Sequence, residues 1–284
     1  MLNFEVIFLG VFALIWIIFA TVQDLKKREV SNWLNFSLII FALGFRFFYS
    51  LFNGNFNFFY QGLIGFGIFF ILGNLFYYGR IFAGGDAKLM IALGVVLPLE
   101  YSFFNNLELF SLFLFLFFFV GAFYGLFVSI ILTIKNFRKF KKEFKKKFKE
   151  NRLYFLISSL LGIFIILFGF FETFFIFIGI FIFIIPYLYL FAKSIDEICM
   201  IKNLDTKKLT EGDWLYKNVR IGKNLIKANW EGLTKKQIKE IQRKYNKVQI
   251  RQGIPFVPVF LISFIIFLGL YYFGMIEKLF GLWF

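Results

Sequence analysis

Along most of this chain the apolar positions neither alternate nor fall on one helical face; they run on unbroken. Phe4 to Val22 is apolar or small apart from Glu5, and it ends in the polar string Gln23-Asp24-Leu25-Lys26-Lys27-Arg28. A second run spans Trp33 to Phe52 and is followed by the turn-forming stretch Asn53 to Asn57. The third covers Phe58 to Tyr78, and the fourth starts at Asp86 and stops near Leu99, with Pro98 and Glu100 marking its end. Leu107 to Ile134 is long enough to tilt. Leu153 to Ala192 is about twice the ~20 residues that cross a bilayer, and its polar break at Gly169 to Thr173 makes it a helical hairpin. A last run covers Ile254 to Phe273. This pattern predicts an all-α, polytopic integral membrane bundle of about eight transmembrane helices with a small cytoplasmic segment.

Two stretches depart from it. Residues 135–152 carry ten Lys or Arg, with Phe137, Phe140, Phe144 and Phe148 three or four apart. That spacing predicts a basic amphipathic helix whose Phe stripe lies in the headgroup layer while its lysines meet anionic lipid. Residues 193–253 are polar; Thr234 and Gln237 are spaced as a capping box, so a short helix is expected from Thr234 to about Tyr245 with Ile238 and Ile241 on one face. The expected layout is therefore spans one to five in 1–134, the basic segment 135–152, the hairpin 153–192, a cytoplasmic segment 193–253, and a final span with its tail in 254–284.

The net charge of +15 would suit nucleic acid if it covered one soluble face. Here nearly all the Lys and Arg fall in alternate loops, and the turns around 53–57, 100–106 and 169–173 hold none. This is the positive-inside distribution. It places the N-terminus outside, puts residues 24–31, 79–86, 135–152 and 193–253 in the cytoplasm, and argues against a nucleic-acid partner.

With no His and the single Cys199, the chain lacks Ser-His and Cys-His pairs, disulfides and multi-Cys metal sites. Carboxylates remain as candidate chemistry. Asp86 follows Gly84 and Gly85 at the start of span four, and Asp24 ends span one; both fall on the same membrane face. Two carboxylates within hydrogen-bonding reach share one proton, so one can deprotonate a water while the other protonates the oxyanion and leaving amine of a peptide. Glycines let a second backbone approach and permit φ values other residues avoid. The plainer alternatives are a solvated Asp24 balanced by its basic neighbours and an Asp86 that only caps a helix. A transporter or channel relaying ions through the two Asp residues is the competing functional class.

Asp24-Leu25-Lys26-Lys27-Arg28-Glu29-Val30-Ser31-Asn32 together with Gly85-Asp86-Ala87-Lys88 resembles the paired signature of type IV prepilin peptidases, membrane aspartic proteases of the GxGD kind. Glu231-Gly232-Leu233-Thr234 and Arg251-Gln252-Gly253-Ile254-Pro255-Phe256-Val257-Pro258 resemble the archaeal preflagellin and prepilin peptidase branch. Ala83 stands where the motif has its first Gly. The resemblance implies removal of class III signal peptides from archaellin or pilin-like precursors at the cytoplasmic face of the cell membrane. It makes Asp24 and Asp86 the catalytic pair and implies no cofactor and no metal. Gly84, Gly85, Lys88 and Arg28 are candidates for shaping the site or holding substrate, and precursor proteins and membrane lipids are the expected partners.

Overall fold

The computed structural model describes residues 4–222 and 224–276. Their elements, in chain order, begin with α1 (Phe4–Lys27), α2 (Asn32–Phe52), α3 (Asn57–Tyr78), α4 (Gly84–Val96) and α5 (Phe103–Lys135). There follow α6 (Phe137–Glu150), α7 (Arg152–Leu167) and α8 (Phe174–Cys199), then a small polar region with β1 (Ile201–Asp205), β2 (Trp214–Leu215), β3 (Val219–Ile221), β4 (Asn224–Ile226), α9 (Lys235–Lys244) and β5 (Lys247–Arg251). Helix α10 (Val257–Tyr272) comes last. Two compact units divide the chain: Met1–Tyr124 with Pro255–Phe284, and Gly125–Ile254.

In the first unit α1 packs on α10, and α2 and α3 enclose α4. Among the described residues six helices, α1, α2, α3, α5, α7 with its one-turn extension to Phe170, and α8, are long and apolar enough to cross a membrane. Helix α4 is not: its 13 residues reach only about 20 Å, against a hydrocarbon core of ~30 Å. Pro98 stops it early. Its interior explains why this is tolerated, since Leu89, Met90, Ala92, Leu93, Val95 and Val96 are all buried against protein. The backbone that leaves α4 prematurely is satisfied by Arg46, a fully buried side chain of α2. Its guanidinium donates to the carbonyls of Val95 (2.8 Å), Phe58 (2.8 Å), Val96 (3.2 Å) and Pro98, and it lies over the Phe58 ring.

Beyond α4 the chain still reaches the far end of the unit. The hydroxyls of Tyr49 and Tyr101 donate to the two oxygens of Glu5, in the first turn of α1, at 2.9 and 2.8 Å. Tyr271, at the end of α10, donates to Glu100 at 2.7 Å. Both α4, with residues 97–102, and α10 therefore run the length of the unit alongside α1, although each has fewer helical residues than a full span.

In the second unit α7 and α8 form the expected hairpin, turning through a short 3-10 segment, Phe168–Phe170. Part of the Phe stripe of α6 faces the hairpin, while Phe137 at its start is exposed. Phe140 packs edge-on against Phe191 of α8 (5.5 Å between centroids), and Phe148 packs against Phe155 of α7 (4.8 Å), so these two rings hold α6 to the hairpin. Lys147 is buried there and donates to Glu197 at 2.7 Å. Burial works to lower its pKa; the hydrogen bond and the charges of Glu197, Glu143 and Glu150 outweigh that and hold the ammonium above the usual lysine range.

The polar region is a folded α/β module. β5 is the centre of an antiparallel sheet ordered β1-β5-β2, β3 and β4 form a separate hairpin, and α9 lays Ile238 and Ile241 into a core with Leu215, Ile226, Leu233 and Ile250. The capping box is in place: the Thr234 hydroxyl accepts from the Gln237 N–H, and Gln237 Oε1 accepts from the Thr234 N–H at 2.9 Å.

Candidate active site

The site lies where α1 ends and α4 and α10 begin. Asp24 occupies the last turn of α1 and is buried. Its Oδ2 accepts from the backbone N–H of Val257 at 3.0 Å, and its carboxylate also takes the N–H of Phe256. These are the first amides of α10, where a helix leaves donors unpaired and presents its positive end. A carboxylate 233 residues earlier in the chain thus caps α10. The segment Gln252-Gly253-Ile254-Pro255-Phe256 makes this possible: Phe256 packs against Phe82 (6.3 Å) and Phe117 (5.7 Å), with Gly121 giving its ring room on α5.

Asp86 is the third residue of α4 and is half-buried. Its carboxylate reaches back to accept from the N–H of Ala83, the N-cap residue, which is half of a capping box. The helix-cap role is therefore real. It does not exclude the other, because Asp86 also stands within direct electrostatic reach of Asp24. Loop 79–83 is fixed by Phe82, which is buried between Phe76, Phe117 and Phe260.

Gly84 and Gly85 sit at the first two positions of α4, half-exposed, and neither adopts a left-handed backbone. A Cβ on Gly85 would meet Val30 at 3.5 Å and one on Gly84 would meet Tyr77 at 3.7 Å, ordinary contacts. The freedom of φ expected from the sequence is not used here. Ala83 has φ −71° and ψ 160° with an exposed side chain, so Ala in place of the motif's first Gly carries no conformational cost. Lys88 donates to Asn32 Oδ1 at 2.6 Å and so ties α4 to the start of α2. Arg28 closes α1 with a left-handed φ of 60°, its N–H on the Asp24 carbonyl at 2.8 Å and its charge within reach of the Asp24 side chain. The structure adds Tyr124, on α5, within electrostatic reach of both Asp24 and Arg28. No sequence motif marks that residue; only the packing of α5 brings it in.

Helices α1 and α4 each pack mainly on other helices. Ala13 and Ala20 of α1 and Ala87 and Ala92 of α4 are all buried. The main partner of α4 is nevertheless α3, and that of α1 is α10. Among the described residues no group of three His, Cys, Asp or Glu side chains is placed to hold a metal.

An interacting pair of Asp residues at two helix ends, backed by a third helix N-terminus, narrows the comparison with known proteins. Residues 11–130 match the type IV leader peptidase family. That segment contains both Asp24 and Asp86. The preflagellin peptidase of Methanocaldococcus jannaschii is 31% identical over 98 residues, 34% of this chain and 39% of that protein. The preflagellin peptidase of Methanococcus maripaludis is 33% identical over 82 residues, 29% of this chain and 35% of that protein. That of Methanococcus voltae is 31% identical over 90 residues, 32% and 38% respectively. The similarity thus spans little more than a third of the length of these relatives. No solved structure matches the chain.

Proposed function

We propose that the protein is a membrane aspartic endopeptidase of the type IV leader peptidase kind, which removes class III signal peptides from archaellin or pilin-like precursors at the cytoplasmic face. The observation that carries this is the pairing of Asp24 and Asp86, far apart in sequence, at one end of the bundle within the family-matched segment. Asp24 and Asp86 hold one proton between them and a water against the scissile carbonyl. The ionised carboxylate removes a proton as the water oxygen attacks; the protonated partner delivers its proton to the oxyanion, and the collapsing intermediate passes one to the departing amine. Both residues sit at helix termini, where water is available and where an Asp avoids the ~2.5–3.5 kcal/mol assigned to the centre of a span. Val257 and Phe256 fix Asp24, and the Ala83 amide fixes Asp86, so little reorganisation is left for the chemical step. Gly84, Gly85 and Ala83 line an edge that a locally unwound substrate can approach, with Lys88 and Arg28 at its margins.

The test is incubation of membranes containing the protein with archaellin and pilin precursors, read by the mass of the product and its new N-terminus. The native protein should shorten one of the two. Asp24→Asn and Asp86→Asn should each abolish cleavage at unchanged membrane content, because each preserves shape while removing the shared proton. Substantial cleavage by either variant would refute the pair.

A further inference from the structure

The α6–α7–α8 layer lies outside the family-matched residues, and the proposed chemistry makes no use of it. A cavity of about 420 Å³ opens between α7 and α8, at the end of the hairpin opposite its turn. Its floor is apolar: Phe155 and Leu190, both buried, and Pro186 of α8. Its rim is polar and aromatic. Tyr154 and Tyr189 stand exposed, and the Lys193 ammonium lies over the Tyr189 ring, 5.4 Å from its centroid. Asn151, the joint between α6 and α7, completes the rim, and its side-chain amide N–H donates to the Lys147 carbonyl at 2.9 Å.

This is the level at which the apolar hairpin gives way to α6, most of whose residues are Lys or Arg. Tyrosine hydroxyls and lysine ammonium groups gather at that depth because it is where hydrocarbon meets phosphate. Phe140 and Phe148 pack α6 against the hairpin, which makes it a fixed basic ledge beside the cavity. Three carboxylates temper the ledge locally, Glu150 pairing with Lys146 at 4.0 Å. Glu143 and Glu197 are taken up by Lys147, with Glu197 also within reach of Lys193, while Lys139, Lys141, Lys142, Lys145, Lys146 and Lys149 remain exposed.

We propose that this cavity is a binding site for one anionic phospholipid, its phosphate on Lys193 and the first methylenes of an acyl chain on Phe155, Pro186 and Leu190. The cavity is within the size that small-molecule sites occupy, and its division into greasy floor and cationic rim matches an amphiphile with a negative head. A lipid held there would be retained through purification, unlike the mobile shell.

Native mass spectrometry of the full chain in detergent tests this, with added phosphatidylglycerol and, separately, phosphatidylcholine. The native protein should retain one phosphatidylglycerol in preference to phosphatidylcholine. Lys193→Gln, at an exposed position where folding is not at risk, should weaken that retention about tenfold, the effect of losing one charge-assisted hydrogen bond. The double variant Lys145→Gln, Lys146→Gln, which lowers the charge of α6 at residues that do not line the cavity, should leave it unchanged. No retained lipid, equal retention of the two lipids, undiminished retention by Lys193→Gln, or equal loss in the α6 variant would each overturn the site.

Discussion

At the scale of single residues, one side chain supports the site from the opposite end of its helix. Asp86 stands at the start of α4, and Arg46 holds the other end of that helix through the carbonyls of Val95, Val96 and Pro98 and ties it to the Phe58 carbonyl of α3. A buried guanidinium is tolerated because its donors meet the carbonyls that a helix C-terminus leaves unpaired, where its charge also complements the helix dipole. Arg46→Leu would keep the volume and strand those carbonyls, each at about 1–3 kcal/mol. The variant should unfold at a markedly lower temperature in detergent, with cleavage lost in parallel. Arg46→Lys should not restore it, since an ammonium on a single stem cannot reach four acceptors that a planar fork can. A lysine variant with native thermal stability would show that the fork is not what holds α4. Arg46 is legible in the sequence as the isolated charge within span two; what it grips is not, because the acceptors are backbone groups contributed by three other segments.

At the scale of elements, α4 is set by its seat on α3. Gly65 faces Gly94 so closely that a Cβ on Gly65 would collide with the Gly94 carbonyl oxygen and stand 2.6 Å from the Pro98 ring. Helices in a bilayer gain from such close approach through packing, with no hydrophobic drive between them. Gly65→Ala should push α3 and α4 apart, lower the unfolding temperature and reduce cleavage about 10- to 100-fold by displacing Asp86, given how steeply rate falls with a ~1 Å misplacement. Gly67→Ala is the control on the same helix, since a Cβ there meets nothing within 4 Å. Equal effects of the two substitutions would refute the packing argument. The sequence reads α4 as a full span because apolar residues continue to Leu99; the helix itself ends at Val96, before Pro98, and Leu97 and Leu99 are buried against protein in a non-helical backbone. The strands of the polar region are likewise missed. They are two to five residues long and interleaved with lysines, so no run of alternation is long enough to announce them. Helix α9 is legible in the same region because a capping box is a local signal that needs no partner strand.

At the scale of the whole molecule, the basic residues argue for an orientation. Apart from Arg46, Lys88 and Lys278, every one of the 32 Lys and Arg falls in residues 26–28, at Arg80, in 135–152 or in 193–253. Two short helices put this count at risk, because if α4 or α10 failed to cross, every later loop would change sides. The first unit answers for both. Each begins beside Asp24 and Asp86, and each leads to the tyrosine and glutamate cluster around Glu5 and Glu100, so α4 with its loop and α10 each make one traverse beside α1. With α7 and α8 as one hairpin the count comes to eight traverses, and on the orientation we propose the positive-inside rule puts the basic stretches in the cytoplasm. Cysteine labelling tests the orientation directly. In a Cys199→Ser background, chosen because the native thiol is half-buried, cysteines at positions 54 and 104 should react with an impermeant maleimide added to intact cells. Cysteines at 146 and 236 should react only after lysis. Labelling of all four in intact cells would mean that the helices do not separate two compartments as described. The reversed pattern would leave the fold intact and place Asp24 and Asp86 on the outer face, where a precursor that still carries its cytoplasmic leader never presents its cleavage site.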